Sequence, residues 1–552
     1  MSVLHSSPLF RSILSGVLLG LAFPQVVGGI AGVIVFVAFV PLLFVIADSG
    51  TKHTRWRLIG QLYITFVIFH GLTNWWVCSW QEQTDPYLFA SGFALWFGHP
   101  FFLMLPFVAL ASIRKRLGVA WMLLCTPLAI SGFEWLHGQT DASYPWLTTG
   151  YTLVHTPFAQ IADTVGVYGL SFLISVVNAI IVYVLLKKRS GDVARRQILI
   201  VAALVLMWGL MGLYKQLTPT GSGGTINVML VQPNEDPWEK WGDAHEQVAA
   251  HQELVDSARK AGHAVDLVVW SETAIPYTIR EPQSKPEWEE LRKWTDTSEI
   301  SLITGYADVM VYPIGQAPPS SRQSKVDRSI RFDIFNAVMM INPHQSDVSV
   351  HRKSMLTPFA ERLPFADQLT FAMSWIEWGV GISSWGKGQT RNPLPVVKGA
   401  DTIATVGAII CIESIYPEVA RDLVNNGADV LCIITNDAWY NRTWGPEQHY
   451  DIARMRAIEQ RRSIVRCANS GITGFIQPDG TDLPHPAIAP LTKGVATDRV
   501  QRVLTRTVYS VVGDPIPIFG LIFTLVALIA ARFPLFLRNL PFRFTSIENK
   551  VL

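Results

Sequence analysis

The sequence is poor in cysteine and in charge. Its five cysteines, Cys78, Cys125, Cys411, Cys432 and Cys467, are an odd and scattered set. That excludes a disulfide framework and leaves at least one thiol outside any intrachain pair. No zinc-type CxxC pair and no HExxH spacing occurs, so the common metal signatures are missing and no metal or cofactor is expected. Charged residues make up only 16%, with a net charge of +2. Without a basic surplus the chain lacks the face a nucleic-acid binder needs. What is abundant is apolar: 49% hydrophobic residues, including 19 tryptophans. That composition points to a membrane protein, and 552 residues exceed what one core organises, so two or more folding units are expected.

Apolar stretches recur near 9–23, 28–47, 58–78, 88–112, 119–136, 161–186 and 198–214. Each is near the roughly 20 residues a helix needs to cross hydrocarbon. The first is short and interrupted by Arg11. No A-x-A-like cleavage site follows it, which favours a span over a signal peptide. Lys52, Arg55 and Arg57 follow the second stretch, Arg114, Lys115 and Arg116 the fourth, and Lys187, Lys188, Arg189, Arg195 and Arg196 the sixth. The alternate loops 24–27, 79–87 and 137–160 carry no Lys or Arg. Basic short loops stay in the cytoplasm, so the N-terminus is expected inside and residue 215 outside. An eighth stretch, 516–531, is followed by Arg532, Arg538, Arg543 and Lys550, which returns the C-terminus to the cytoplasm. The expected organisation is a membrane domain of seven spans over 1–214, an extracytoplasmic domain over 225–505, and an eighth span at 515–533 with a tail of 534–552.

Between 225 and 505 the texture changes to short β-branched runs: "INVMLVQPN", "AVDLVVWSETAIP", "SLITGYADV", "DIFNAVMMINP", "TIATVGAIICIES", "GADVLCIITNDAW" and "SIVRCANSGITGFIQPDG". Polar helical patterns, such as 243–261 and 446–462, lie between several of them, so the domain reads as α/β. Three fragments could carry chemistry. Cys411 stands where apolar alternation stops and the polar turn "ESIYPE" begins, and strand C-terminal ends are where reactive groups gather in open sheets. Cys432 and Cys467, inside apolar runs, read as buried strand residues. Glu272 in "VVWSETAIPY" follows an apolar strand. It is either a solvated carboxylate or, in a low-dielectric pocket, a general base for a thiol. Lys353, with Glu361 eight residues on in "HRKSMLTPFAERLPF", is either a surface lysine or an ammonium able to lower a thiol pKa and stabilise an oxyanion. His70, His99 and Glu134 lie in or near spans and receive no role. Trp439, Tyr440 and Trp444, in the loop after "TND", are either a lid or ordinary loop packing.

The glutamate of "WSETAIPY", the lysine of "HRKSMLTPFAERLPF" and the cysteine of "CIES" resemble, in order and approximate spacing, the Glu, Lys, Cys set of the nitrilase superfamily. More narrowly, the chain is similar to the apolipoprotein N-acyltransferase family over nearly its whole length. The likeness extends through "FEWLHGQTDASYPWLTTGYTLVHTPFAQIADTVGVYGLSF", "VQPNEDPWEKW", "TNDAWY", "GPEQHYDIARMRAIEQRRSIVRCANSGITGF" and "RTVYSVVGD". The resemblance implies a polytopic α-helical membrane domain of eight spans bearing a nitrilase-like α-β-β-α sandwich on the periplasmic side of a bacterial inner membrane. It implies Glu272 as general base, Cys411 as nucleophile, and Lys353 as oxyanion support together with a backbone N–H after Cys411. Glu361 would orient the pocket, Glu413 matches the glutamate two after the nucleophile, and Trp241 the tryptophan near the pocket mouth. The implied partners are a phospholipid acyl donor, a diacylglyceryl-modified apolipoprotein acceptor and the bilayer. Where the family commonly carries Tyr or Phe directly after the cysteine, this chain has Ile412. A membrane-anchored amidase or nitrilase uses the same trio, and a transporter with a catalytically dead outer domain would share the layout. Both stay open at this point.

Overall fold

The computed structural model describes residues 6–49, 55–79, 86–189, 195–221, 223–236, 244–370, 385–440, 442–484 and 487–533. The chain divides into two compact units: Met1–Thr140, Pro145–Thr218 and Val512–Leu552 form the first, and Asp141–Tyr144 with Pro219–Val511 the second.

The first unit is helical. Among the described residues six stretches are long and apolar enough to cross a membrane: Gly29–Asp48, Phe89–Leu117, Val119–Gly138, Pro157–Arg189, Arg195–Leu217 and Pro515–Arg532. The other two expected spans correspond to the 14-residue helix Pro8–Leu21 and the 19-residue helix Arg55–Thr73. The latter ends five residues before the expected boundary, and the chain continues as a 3-10 turn over Trp75–Cys78. Arg11, which interrupts the first apolar stretch, is buried and donates to Asp48 at 2.7 Å; the other oxygen of Asp48 accepts from Arg189 at 3.0 Å. The paired charge explains how an arginine is tolerated inside so short an apolar helix. It also ties the first end of one helix to the last ends of two others on a single side of the unit. Of the ionisable groups given no role, Glu134 accepts from the N–H and hydroxyl of Thr149 at 3.0 and 2.6 Å. His70 meets His99 at 2.9 Å, and His99 meets His137 at 3.0 Å.

The second unit is a two-sheet sandwich. Its strands are β1 (Thr225–Gln232), β2 (Leu267–Val269), β3 (Ser301–Tyr312), β4 (Arg322–Gln323), β5 (Arg331–Ile341), β6 (Ser349–Arg352), β7 (Leu394–Lys398), β8 (Asp401–Ile410), β9 (Val430–Thr435), β10 (Ile464–Ala468), β11 (Gly474–Ile476) and β12 (Gly494–Gln501). The first sheet runs β12-β1-β2-β3-β5-β4 with β6 on β5, and the second β11-β10-β9-β8-β7. Each has three parallel strands at its centre, β1, β2 and β3 in one and β8, β9 and β10 in the other, flanked by antiparallel strands.

Alternation explains the layering, because successive strand residues face opposite sides. Val228, Leu230, Leu267, Val269, Val338 and Met340 of the first sheet pack with Val406, Ala408, Ile410, Cys432, Ile434 and Cys467 of the second into one core. The opposite face of the first sheet, with Met229, Val231, Val268 and Leu302, packs on Val255 of helix Ala244–Lys260 and Leu291 of helix Lys285–Ser298. Helices Pro417–Asn425 and Gly445–Gln460 flank the second sheet. The order helix, sheet, sheet, helix is the one the nitrilase resemblance implies. Each fully buried aliphatic side chain contributes about 1.5–3 kcal/mol, and this double layer of them holds the strand ends that carry the site.

Candidate active site

Glu272 lies just beyond β2, the central parallel strand of its sheet, where the N–H of Trp270 still bonds the carbonyl of Ile303 at 2.8 Å. The strand is shorter than its sequence suggested because the chain turns at once: Thr273 has φ +48°. That turn presses against β3 at Gly305, where a Cβ would meet the N–H of Thr273 and the Cα of Glu272 at less than van der Waals distance. Only glycine admits so close an approach. The Glu272 side chain is 9% exposed.

Lys353 is delivered by the opposite edge of the same sheet. β6 pairs with β5, and the Lys353 N–H continues the ladder by bonding the carbonyl of Asn336 at 2.8 Å. Its own carbonyl accepts from the N–H of Gly388 at 2.8 Å; a Cβ at 388 would collide with the backbone of Arg352 and Lys353. The ammonium, 1% exposed, donates to Glu272 Oε1 at 3.2 Å and to Glu361 Oε1 at 2.9 Å. Glu361 is oriented by the N–H of Thr357, which meets Oε2 at 2.8 Å. Asn336 completes the cluster, donating through Nδ2 to Glu272 Oε1 at 2.7 Å and to Glu361 Oε1 at 3.2 Å. Sequence reasoning does not find Asn336; an amide in the middle of the apolar run "DIFNAVMMI" is the available signal, since a polar group in a buried strand needs a partner. Burial works against the Lys353 charge, but Glu272 and Glu361 outweigh it and hold the ammonium above its ordinary pKa.

Cys411 begins a 3-10 turn immediately after β8. Its φ is +49°, a left-handed conformation that costs a non-glycine residue about 1–3 kcal/mol. Surrounding contacts enforce it. Glu413, fully buried, accepts through Oε2 from the N–H of Ile410 at 2.8 Å and from His351 Nε2 at 3.1 Å. Through Oε1 it accepts from the N–H and hydroxyl of Ser354 at 2.7 and 2.8 Å and from the N–H of Met355 at 3.3 Å. One carboxylate therefore joins the Cys411 turn to the segment bearing Lys353. Burial alone would push the Glu413 carboxyl up; His351 and the backbone donors overcome it and set its pKa at about 2. Ile412 is itself buried.

Cys411 is half-buried against the sandwich core, and its thiol sits in the field of both charged partners. Burial pushes its pKa above the ordinary thiol range, the Glu272 carboxylate adds to that, and the Lys353 ammonium pulls the other way without winning. These causes favour the protonated sulfur, with the Glu272 carboxylate and Lys353 ammonium paired beside it. A thiol held in this way can act as a nucleophile only with a base to take its proton. Burial raises the Tyr440 phenol pKa, and the nearness of Asp437 and Cys411 adds to it. Trp241 and the side chain of Trp439 lie outside the described residues. Cys432 and Cys467 are fully buried strand residues, as their apolar settings implied. Among the described residues no group of His, Cys, Asp and Glu could hold a metal ion.

Two family profiles match the chain: "Carbon-nitrogen hydrolase" over residues 227–509 and "Apolipoprotein N-acyltransferase N-terminal domain" over residues 15–180. The apolipoprotein N-acyltransferase of Chlorobaculum tepidum is 32% identical over 488 residues, covering 86% of this chain and 87% of its own. That of Geobacter metallireducens is 29% identical, covering 85% of both. Among solved structures, Saccharomyces cerevisiae Nit3, a member of branch 10 of the nitrilase superfamily, matches with a TM-score of 0.37 and 15% identity, over 51% of this chain and 91% of its own.

Proposed function

The chain belongs to the apolipoprotein N-acyltransferase family, and from that premise we propose that Cys411 carries an acyl group from a phospholipid to the α-amine of a diacylglyceryl cysteine at an apolipoprotein N-terminus. In the first half, Glu272 takes the thiol proton as sulfur attacks an ester carbonyl, most simply that of the sn-1 chain. The tetrahedral oxyanion leans on the Lys353 ammonium and the N–H of Ile412. Collapse breaks the C–O bond, and the lysophospholipid leaves with the proton from Glu272, giving a thioester. In the second half, the amine attacks that thioester, the new C–N bond forms, the amine proton passes through Glu272, and the sulfur departs as the thiol. This is ping-pong transfer, and every proton is returned, so no cofactor is needed.

Glu361 and Asn336 hold Lys353 and Glu272 in register, and Glu413 braces the Cys411 turn. Trp241, Trp439 and Tyr440 are assigned to contact with the lipid chains and the pocket mouth rather than to bond-making. Both substrates are lipids, which is the reason for a membrane domain. We place the catalytic unit in the periplasm and both termini in the cytoplasm, with eight crossings of the bacterial inner membrane. The Lys and Arg asymmetry of the loops supports this, as does the union of Arg11, Asp48 and Arg189 on one side of the helical unit.

The observation that carries the reading is the buried Glu272, Lys353, Glu361 ion cluster acting on the Cys411 thiol at a strand end. Mass spectrometry of purified protein incubated with phospholipid tests it. An acyl adduct on the Cys411 peptide, lost on adding a diacylglyceryl peptide, is the expected result. Hydrolysis of a small amide with no such adduct would establish the membrane-anchored hydrolase instead.

A further inference from the structure

Beneath the nucleophile lies a second buried polar array that the acyl-transfer scheme does not use. Asp437 follows β9 and His449 sits in the first turns of helix Gly445–Gln460; both are buried. His449 Nδ1 meets Asp437 Oδ1 at 2.9 Å, and the other Asp437 oxygen accepts from the Arg466 guanidinium of β10 at 2.7 Å. On its opposite edge, His449 Nε2 meets the carbonyl oxygen of Cys411 at 3.1 Å and Ser414 Oγ at 2.8 Å, while the Ser414 hydroxyl donates to the same carbonyl at 2.9 Å.

A carbonyl oxygen can only accept, so the imidazole and the hydroxyl meet it as donors. Asp437 likewise accepts from Nδ1, so this geometry uses both ring N–H groups, which only the doubly protonated imidazole carries; burial would raise the Asp437 carboxyl pKa, but Arg466 and His449 overcome burial and hold it well below the carboxylate range. The carbonyl of Cys411 and the N–H of Ile412 belong to one planar trans peptide and point in opposite directions. Fixing the carbonyl therefore fixes the N–H. Cys411 is in the left-handed region, where this peptide would otherwise swing toward a relaxed conformation.

We propose that His449, seated by Asp437 and Arg466, is a positioning residue that works with Ser414 to clamp the Cys411 carbonyl and so aims the Ile412 N–H at the oxyanion. The inference rests on the reading of Cys411 as the acyl acceptor. It makes a distinction that a purely structural histidine would not. Alkylation of the thiol by iodoacetamide forms no oxyanion and is indifferent to that N–H; attack on an ester depends on it.

Full-length protein in detergent micelles, with His449→Leu and His449→Gln variants, is to be followed by mass spectrometry of the Cys411 peptide. One series uses iodoacetamide and the other p-nitrophenyl butyrate. Removal of an oxyanion donor costs about 100- to 1,000-fold, and a misaimed one is expected to cost about 10- to 100-fold in the ester series. His449→Leu should show that loss with alkylation changed by less than about threefold. His449→Gln, whose amide can still donate to the carbonyl, should recover most of it. Proportional losses in both series would reduce His449 to a packing residue, and unchanged ester kinetics would remove it from the reaction; either overturns the proposal. Wild-type protein that reacts with the p-nitrophenyl ester but takes nothing from phosphatidylethanolamine vesicles refutes the phospholipid reading alone, because the comparison of variants uses the activated ester.

Discussion

Replacing Glu413 by glutamine changes one atom and removes one charge, and the hydrogen bonds around it fix the consequence. The carboxylate receives five donors on two oxygens: Ser354 N, Ser354 Oγ and Met355 N on Oε1, Ile410 N and His351 Nε2 on Oε2. A glutamine has one oxygen, so its NH2 group must face either the Ile410 N–H or the Ser354 N–H. Neither backbone amide can reverse. A buried donor left without an acceptor costs about 1–3 kcal/mol, and hydrogen bonds to a charged group contribute about 1.5–3 kcal/mol each. Together these put the loss at about 3–5 kcal/mol. An independent route gives a similar figure. A folded-state pKa of about 2 against an ordinary 4.5 corresponds to about 3 kcal/mol. Because the folded pKa is the lower one, this stability is present above about pH 4.5 and drains away as pH falls toward 2. Tryptophan-fluorescence melting in micelles should show the Glu413→Gln midpoint roughly 10 °C below wild type at pH 7, with the gap closing through that acid window. Equal midpoints at pH 7, or a gap that does not narrow with acid, would refute the account of Glu413 as the brace between the Cys411 turn and the Lys353 segment.

Other perturbations have equally definite outcomes. Burial and the Glu272 carboxylate raise the Cys411 thiol pKa, so its rate of alkylation by iodoacetamide should stay below that of an unperturbed cysteine at pH 8 and still be climbing above about pH 9; a plateau below pH 8 would contradict this. Asn336→Asp sets a third carboxylate beside Glu272 and Glu361 with one ammonium among them, and acylation by p-nitrophenyl butyrate should fall by about tenfold or more; an unchanged rate would show that the amide is incidental. Gly305→Ala drives a methyl group into the Glu272 turn, with an expected loss of about 1–3 kcal/mol in stability and a slower acylation; a variant melting and reacting like wild type would mean that the turn can retreat at no cost.

The parts of the second unit that depend on local pattern are legible in the sequence. All seven sequence-assigned runs contain strands, because a period of two in β-branched residues has few other uses. "AVDLVVWSETAIP" keeps only Leu267–Val269 as ladder, since the turn at Thr273 depends on contact with Gly305 of another strand and leaves no trace in its own fragment. β4, β6, β7 and β12 escape recognition, their short or weak patterns being stabilised by edge pairing rather than by propensity. Helix Pro417–Asn425, which begins within the "ESIYPE" turn, has a proline at its first position, a start signal that the sequence does carry. In the site, Glu272, Lys353, Glu361 and Glu413 are visible as charges in otherwise apolar or proline-bounded settings. Asn336 and the Asp437, His449, Arg466 array are not, because their importance comes from partners up to 64 positions away and spacing along the chain carries no sign of such partners.

In the proposed acyl transfer, the elevated thiol pKa at Cys411 has opposite consequences for the two halves. A protonated sulfur is a poor nucleophile until Glu272 relieves it of the proton, which makes formation of the thioester depend on a correctly seated ester. Once the proposed thioester has formed, the same surroundings would disfavour release of an anionic sulfur, so in this scheme departure needs the proton that the attacking amine delivers through Glu272. Water, a weaker nucleophile than an amine, gains least from that arrangement, and burial of the cluster keeps it scarce. Lys353 pulls the other way without reversing the effect, which burial dominates, and its ammonium is paired with both Glu272 and Glu361. The second glutamate thus holds the ammonium between two carboxylates rather than leaving it paired with Glu272 alone.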